Sequence, residues 1–353
     1  MKISIIGAGN GGQAMAGHFA LLGHEVILYD KDIDKLNSIK QKGGIILRER
    51  VNGFGEIYSF AVNLKEAIQD SEIIMIVATA DAHRILAHDI ASFLTDGQIV
   101  ILNPGRTLGA LEFSNIVRKL TDKRIYIAEA QSLIYACRAD KPGEVRIVGI
   151  KDKVYFSAYP SLDTDYIIKK INQVFNCFVK SENILATGLE NIGAILHPTV
   201  VLFNAAAIER GEMFYFYNDM TTAIANIIEE IDKERLAIGK AFGLKLKSVS
   251  EWVSFAYKNI KGDCFLEKMR NNPAYYKISA PRILESRLLM EDIPTGILPM
   301  IELANIADVD VPLMKSILRL SQTLLNIDFT TNGRTLKNLG IENLSINQLQ
   351  ELL

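Results

Sequence analysis

Near the start of the chain, Gly7-Ala8-Gly9-Asn10-Gly11-Gly12 has the spacing of a loop that wraps a pyrophosphate. Gly7 permits a sharp strand-to-helix turn, Gly9 lets a phosphate approach the backbone, and Gly12 allows close packing of helix on strand. Asn10 and Gly11 open the helix that follows, whose first N–H groups and partial positive charge suit an anion. An ordinary glycine-rich turn is the plainer alternative. It fits less well, because strand, motif, helix and second strand follow in the required order. The second strand ends at Asp30, whose carboxylate suits ribose hydroxyls and repels a 2′-phosphate. That favours NAD, with NADP left open by the adjacent Lys31; a helix cap is the plainer role for Asp30. Thr79, in Thr79-Ala80-Asp81-Ala82-His83, ends a later strand where open α/β sheets bind ligands. The same place suits simple loop punctuation.

Proton transfer near neutrality asks for an imidazole, and there are five histidines. His18, His24, His83 and His88 have no metal-like spacing. His197 differs: it lies inside the apolar stretch 192–208 and precedes Pro198, which kinks helices. On composition alone, a satisfied core histidine is the stronger reading. The second polar cluster is Arg287-Leu288-Leu289-Met290-Glu291-Asp292-Ile293-Pro294-Thr295-Gly296. Arg287 has the fork to grip a substrate carboxylate, and Asp292 the charge to orient an imidazole. A charged helix end before a turn is the alternative, and sequence alone does not bring Asp292 to His197.

The elements that must hold these residues alternate at first. Short β-rich runs (2–6, 25–29, 73–78, 98–102, 124–128) are separated by helical stretches (11–22, 32–41, 82–93, 108–119). Runs apolar throughout suit strands covered on both faces. The alternation predicts an α/β, Rossmann-type, doubly wound parallel sheet. An extra strand over 53–60 and a hairpin of 145–150 with 154–158 are also expected. Beyond about Ser181 helical patterns follow one another (191–210, 221–242, 249–257, 281–289, 296–306, 312–325). Ser345 and Gln348 form a capping box before a last helix. The division expected is a dinucleotide-binding domain, 1–184, and an all-α substrate and catalytic domain, 185–353.

Composition excludes several classes. Lys plus Arg is 39 and Asp plus Glu 41, a net charge of −2, so nothing draws the chain to nucleic acid or an acidic membrane. Three scattered cysteines make neither a disulfide framework nor a metal knuckle. The stretch 192–208 carries His197, Pro198 and Asn204 and falls short of a bilayer span. The expectation is a soluble cytoplasmic protein with no membrane, metal or nucleic-acid partner, and with apolar helical surface for a homodimer.

The chain resembles the octopine/nopaline-type opine dehydrogenase family along nearly its whole length. The resemblance rests on GAGNGG at 7–12, VATADAH at 77–83, NPGRT at 103–107 and YACR at 135–138. ENIGAILHP at 190–198, RLLMEDIPTG at 287–296 and GRTLKNLG at 333–340 complete it. It implies an NAD(P)-dependent oxidoreductase whose small-molecule substrates are an α-keto acid, such as pyruvate, and an amino acid. The imine they form is reduced. It makes His197 the acid/base, Asp292 its carboxylate partner and Arg287 the holder of a substrate carboxylate. Two rivals share the architecture: an NAD(P)-dependent reductase of a keto acid to a hydroxy acid, and a non-catalytic NAD-binding protein. Ketopantoate reductases and glycerol-3-phosphate dehydrogenases rely on a lysine, and residues 191–204 contain none.

Overall fold

The computed structural model describes all 353 residues, Met1–Leu353. The chain divides into two compact units: Met1–Gly105 with Gly109–Ile184, and Arg106–Leu108 with Leu185–Leu353.

The strands are β1 (Lys2–Ile6), β2 (Glu25–Tyr29), β3 (Gly44–Glu49), β4 (Gly53–Glu56), β5 (Ser59–Phe60), β6 (Ile73–Ile76), β7 (Ile99–Leu102), β8 (Tyr126–Ala130), β9 (Tyr135–Lys141), β10 (Glu144–Ile150), β11 (Val154–Tyr159) and β12 (Phe178–Lys180). Helices α1 (Asn10–Leu21), α2 (Ile33–Lys42), α3 (Leu64–Ile68), α4 (His83–Ala91), α5 (Gly109–Leu120) and α6 (Thr164–Ile171) accompany them. The main sheet has the order β12-β11-β8-β7-β6-β1-β2-β5. From β5 to β8 every pairing is parallel. Only β11 runs antiparallel to its neighbour β8.

The central strands β6 and β7 are buried at every position, which is why their sequences do not alternate. The order reverses between β1 and β6, the place where such sheets open a crevice beyond the strand ends. Asp32 caps α2 by accepting from Lys35 N at 3.0 Å, and Gly43 (φ 72°) ends that helix in the left-handed region.

The expected hairpin of 145–150 with 154–158 does not form. β10 joins a separate four-stranded sheet, β4-β3-β10-β9, whereas β11 enters the main sheet. β10 instead forms its hairpin with β9, the strand just before it, across the turn Pro142-Gly143, while its other partner β3 and the partner of β11, β8, lie further back in the chain. The expected strand at 53–60 is two strands, one in each sheet.

The second unit is helical: α7 (Ile184–Leu189), α8 (Ile192–Leu202), α9 (Ala205–Glu209), α10 (Thr222–Ala241), α11 (Val249–Ala256), α12 (Phe265–Asn271), α13 (Arg287–Met290), α14 (Leu298–Ile306), α15 (Pro312–Leu325), α16 (Leu336–Leu339) and α17 (Ile346–Leu352). The capping box opens α17 as expected. The helix expected over 281–289 shrinks to α13. The helix expected over 191–210 divides at Phe203 and Asn204. The stretch Ile184–Leu202 is, by length and composition, apolar enough to cross a membrane; 89% of it is buried in the fold, as in the core helix of a folded unit.

Candidate active site

The first unit presents the glycine loop between β1 and α1. A Cβ on Gly7 (φ 106°) would lie 2.9 Å from the carbonyl oxygen of Val77, and one on Gly12 would collide with the carbonyl of Gly7. Gly9, by contrast, faces open space. Two glycines are thus demanded by packing, and the third leaves room for a ligand. No side chain caps the start of α1, so its first N–H groups are available to phosphate oxygens. A Cβ on Gly11 would approach Leu133 Cδ2 at 2.9 Å. The residues therefore fit a dinucleotide.

Neighbouring groups fix the loop. Asn10 Oδ1 accepts from Ala139 N at 3.0 Å. Gln13 donates to Ala8 O at 2.8 Å and accepts from Gly143 N at 2.8 Å. The Asn10 side chain therefore holds the loop to β9. The Asp30 carboxylate accepts from Ala8 N at 2.5 Å, Asp32 N at 2.8 Å and Lys35 Nζ at 3.3 Å. A carboxylate accepts about four bonds, so one place remains for a hydroxyl. Thr79 precedes a 3₁₀ turn, Ala80–Ala82, and its side chain makes no capping bond.

The second unit brings together the two residues that sequence alone left apart. His197 lies on α8, a helix apolar on nearly every side, whose less buried positions are Gly193, His197 and Leu202. Gly193 and His197 stand one turn apart on one face. Asp292 follows α13 and begins a π-helical turn, Ile293–Ile297. Asp292 is fully buried, and its Oδ2 lies 2.8 Å from His197 Nδ1. Arrangements of this kind fix the tautomer of an imidazole and offset the charge of its protonated form. Proton exchange is then left to Nε2, which has the Tyr217 hydroxyl at 3.3 Å. Tyr217 in turn stacks on Tyr275, ring centres 4.3 Å apart.

Burial alone would push the Asp292 carboxyl up. Arg106 first, then His197 and Arg287, outweigh it and hold the carboxyl below the usual carboxylate range. Burial likewise pushes the Tyr217 phenol up, helped by Tyr275 and Asp292, so the hydroxyl keeps its proton. Arg287 starts α13, is about 57% exposed, and sits 3.5 Å from Glu291. Its guanidinium is accessible to an anion.

Sequence reasoning assigned nothing to Arg106, Asn191, Gly193 or Tyr217. Arg106 is buried; its Nε donates to Glu291 Oε1 at 3.1 Å, and its Nη1 pairs with Asp292 Oδ1 at 3.1 Å. It sits at φ 63°, a strained conformation costing about 1–2 kcal/mol for a residue with a Cβ. A usable signal was its place after Asn103-Pro104-Gly105, at the carboxyl end of β7. Tyr217 had none, since it lies outside every helix.

A dinucleotide-type glycine loop on one unit is the mark of a nucleotide-dependent oxidoreductase, and the other unit carries a buried histidine–aspartate pair that could exchange protons. Comparison with known proteins makes the assignment specific. Residues 180–325 match the family described as NAD/NADP octopine/nopaline dehydrogenase, alpha-helical domain, and residues 2–102 match NADP oxidoreductase coenzyme F420-dependent. The chain is 36% identical to an opine dehydrogenase of Arthrobacter sp. (strain 1C), covering 97% of this chain and 96% of the relative. It is 26% identical to vitopine synthase of Allorhizobium ampelinum, covering 96% and 95%. The fold matches octopine dehydrogenase solved with NADH and L-arginine (TM-score 0.79, 18% identity, 99% and 98% covered). It also matches yersinopine dehydrogenase with NADP+ (TM-score 0.74, 13% identity, 99% of each chain). The chain belongs to the opine dehydrogenase family, and is an NAD(P)-dependent oxidoreductase acting on a CH–NH bond.

Proposed function

We propose that His197 is the acid/base and Asp292 its carboxylate partner in the reaction of this chain: NAD(P)H-dependent reduction of the imine formed from an α-keto acid and the amine of an amino acid. The observation that carries the assignment is the 2.8 Å bond between His197 Nδ1 and the fully buried Asp292. Gly7, Gly9, Gly11 and Gly12, the Asn10 backbone, Asp30 and Thr79 would hold the dinucleotide. Bound there, the reduced nicotinamide supplies the hydride for the imine carbon.

The chain's own residues manage the protons and the charge. With Nδ1–H donated to Asp292, His197 gives and takes protons at Nε2. It protonates the departing oxygen as the keto acid and amine condense, and the imidazolium that precedes transfer is balanced by Asp292. The Tyr217 hydroxyl, 3.3 Å from Nε2, occupies the hydrogen-bonding position that a substrate oxygen would take. Arg287 grips a substrate carboxylate and fixes the reacting carbon. A keto acid such as pyruvate and an amino acid are the partners in this reading.

Asp30 favours NADH over NADPH. A cytoplasmic location belongs to the same reading.

One experiment tests the assignment. NADH and NADPH oxidation is followed with pyruvate alone, an amino-acid panel alone, and both together. Loss of absorbance only with both is expected, faster with NADH. His197→Ala is expected to lower turnover ~10²–10⁴-fold while nucleotide binding, read by fluorescence titration, is retained. Normal turnover in a folded His197→Ala enzyme would remove the residue from the mechanism. Oxidation with the keto acid alone would favour the hydroxy-acid reductase.

A further inference from the structure

We propose that Arg106 is a positioning residue of this reaction: its guanidinium is the fixed counter-charge that keeps the Asp292 carboxylate seated against Nδ1 of His197. The inference rests on the assignment of His197 and Asp292 above.

Three independent features of the structure converge on it. First, the guanidinium is shared between two neighbouring acids, with Nε on Glu291 Oε1 and Nη1 on Asp292 Oδ1, each at 3.1 Å. Asp292 thus has its two oxygens committed to different partners, Oδ1 to the cation and Oδ2 to the imidazole. Second, the surroundings are shaped for that guanidinium. Asn191 Oδ1 accepts from Nη1 at 3.3 Å, and the Asn191 amide donates to Thr107 Oγ1 at 3.4 Å. A Cβ on Gly193 would stand 3.0 Å from both Arg106 Nη1 and His197 Cε1, so glycine there leaves the space in which arginine and imidazole approach. Third, Arg106 is held at φ 63°. Backbone strain of this kind persists only where the surroundings over-determine it.

The charge arithmetic explains why a cation is needed. Asp292 is fully buried, and a buried carboxylate without a partner takes up a proton. Five groups face it: Arg106 from segment 106–108, His197 from α8, Tyr217 from the α9–α10 connection, Arg287 from α13 and its neighbour Glu291. Tyr217 keeps its proton, and Glu291 is an acid that supplies no positive charge. Arg287 is more than half exposed, and solvent screens it. Arg106 is the buried permanent cation of the set. A protonated Asp292 would present a donor to Nδ1, turn the imidazole to its other tautomer and leave the imidazolium without a counter-ion.

The test compares Glu291→Gln, the double variant Arg106→Gln/Glu291→Gln, and Arg106→Lys, each checked for an intact fold by circular dichroism. The double variant removes the cation together with one anion, so it does not leave two buried carboxylates uncompensated. The readout is kcat against pH with NADH, pyruvate and the best amino acid. The proposal expects the acidic limb to move up by at least one pH unit between Glu291→Gln and the double variant, with kcat down at least tenfold at pH 7. Arg106→Lys keeps the charge without the fork, so its acidic limb stays in place while kcat falls. An unmoved limb in the double variant, or a limb in Arg106→Lys that moves as far as in the double variant, overturns the proposal. His197→Ala separates the two levels of inference. If that variant is inactive while the double variant keeps the wild-type profile, only the role of Arg106 falls; if His197→Ala turns over normally, the underlying assignment falls as well.

Discussion

The imidazole at 197 shows how much one residue's neighbours decide. By composition it belongs in a packed core, and it does sit in an apolar helix. In the proposed mechanism what makes it chemical is one carboxylate oxygen at 2.8 Å, on a carboxyl that the charges around it hold below the usual range. Asp292→Asn is therefore expected to lower kcat by about 10²-fold or more, since an amide offers a donor to Nδ1 and favours the wrong tautomer. The same change carries a pH signature. The Asp292 carboxyl is held below its ordinary value, so its contribution to stability is complete above the unfolded pKa of ~3.9. It is lost as pH falls through the lower folded value. Denaturant unfolding is expected to show wild type well above Asp292→Asn at pH 7, with the gap closing below about pH 4. A gap independent of pH would show that the carboxylate's charge is not what matters. Both members of the pair were legible as residue types in the sequence. Their meeting was not, because no local pattern encodes a contact between α8 and the turn after α13.

At the scale of elements, the site depends on two irregularities. The π-helical turn Ile293–Ile297 begins at Asp292, and Ile297 N reaches back to Asp292 O at 3.0 Å. Turns of this kind recur at functional sites, where they re-aim a side chain. Gly296 within it faces α8, where an added Cβ would collide with Ala194. Pro198 offers no N–H to the carbonyl four residues back, and α8 nonetheless continues to Leu202. The sequence signalled an interruption in both places, through Pro198 and Pro294-Thr295-Gly296, but their geometry follows only from packing. A second buried charge cluster stands at the start of α8: Arg235 on α10 pairs with Asp232 at 2.7 Å and donates to Leu189 O at 3.0 Å. Burial raises the nearby Glu190 carboxyl against the pull of Arg235. Arg235→Met is expected to destabilise the fold by ~3–5 kcal/mol, read as a lower denaturant midpoint. A loss under 1 kcal/mol would show that these acids need no cation. The local sequence of α10 does mark Arg235, a charge on the apolar stripe of Ile224, Ile228, Ile231 and Ile238, but its partners outside α10 are not legible there.

For the molecule as a whole, strand-helix alternation followed by helices alone was readable, because burial on both faces of a parallel sheet leaves a continuous apolar signature. The small sheet was not readable, since β3 and β10 pair across roughly a hundred residues of chain. The division into units is also not a single cut, for Arg106–Leu108 belong by their contacts to the helical unit. Thr107 N donates to Thr295 O at 3.1 Å, and Arg334 donates to Thr107 O at 3.0 Å. A fragment spanning 185–353 therefore lacks the guanidinium that Glu291 and Asp292 share. It is expected to show no cooperative thermal transition at neutral pH; a sharp transition like that of the full chain would refute this. The same three residues bear on recombination between members of the family. A crossover at the seam near 184, where the architecture changes, would join the helical half of one enzyme to a tripeptide inherited from another. Hybrids that transplant codons 106–108 along with the C-terminal half would keep ancestral partners together, so the practical unit of exchange is discontinuous in the gene.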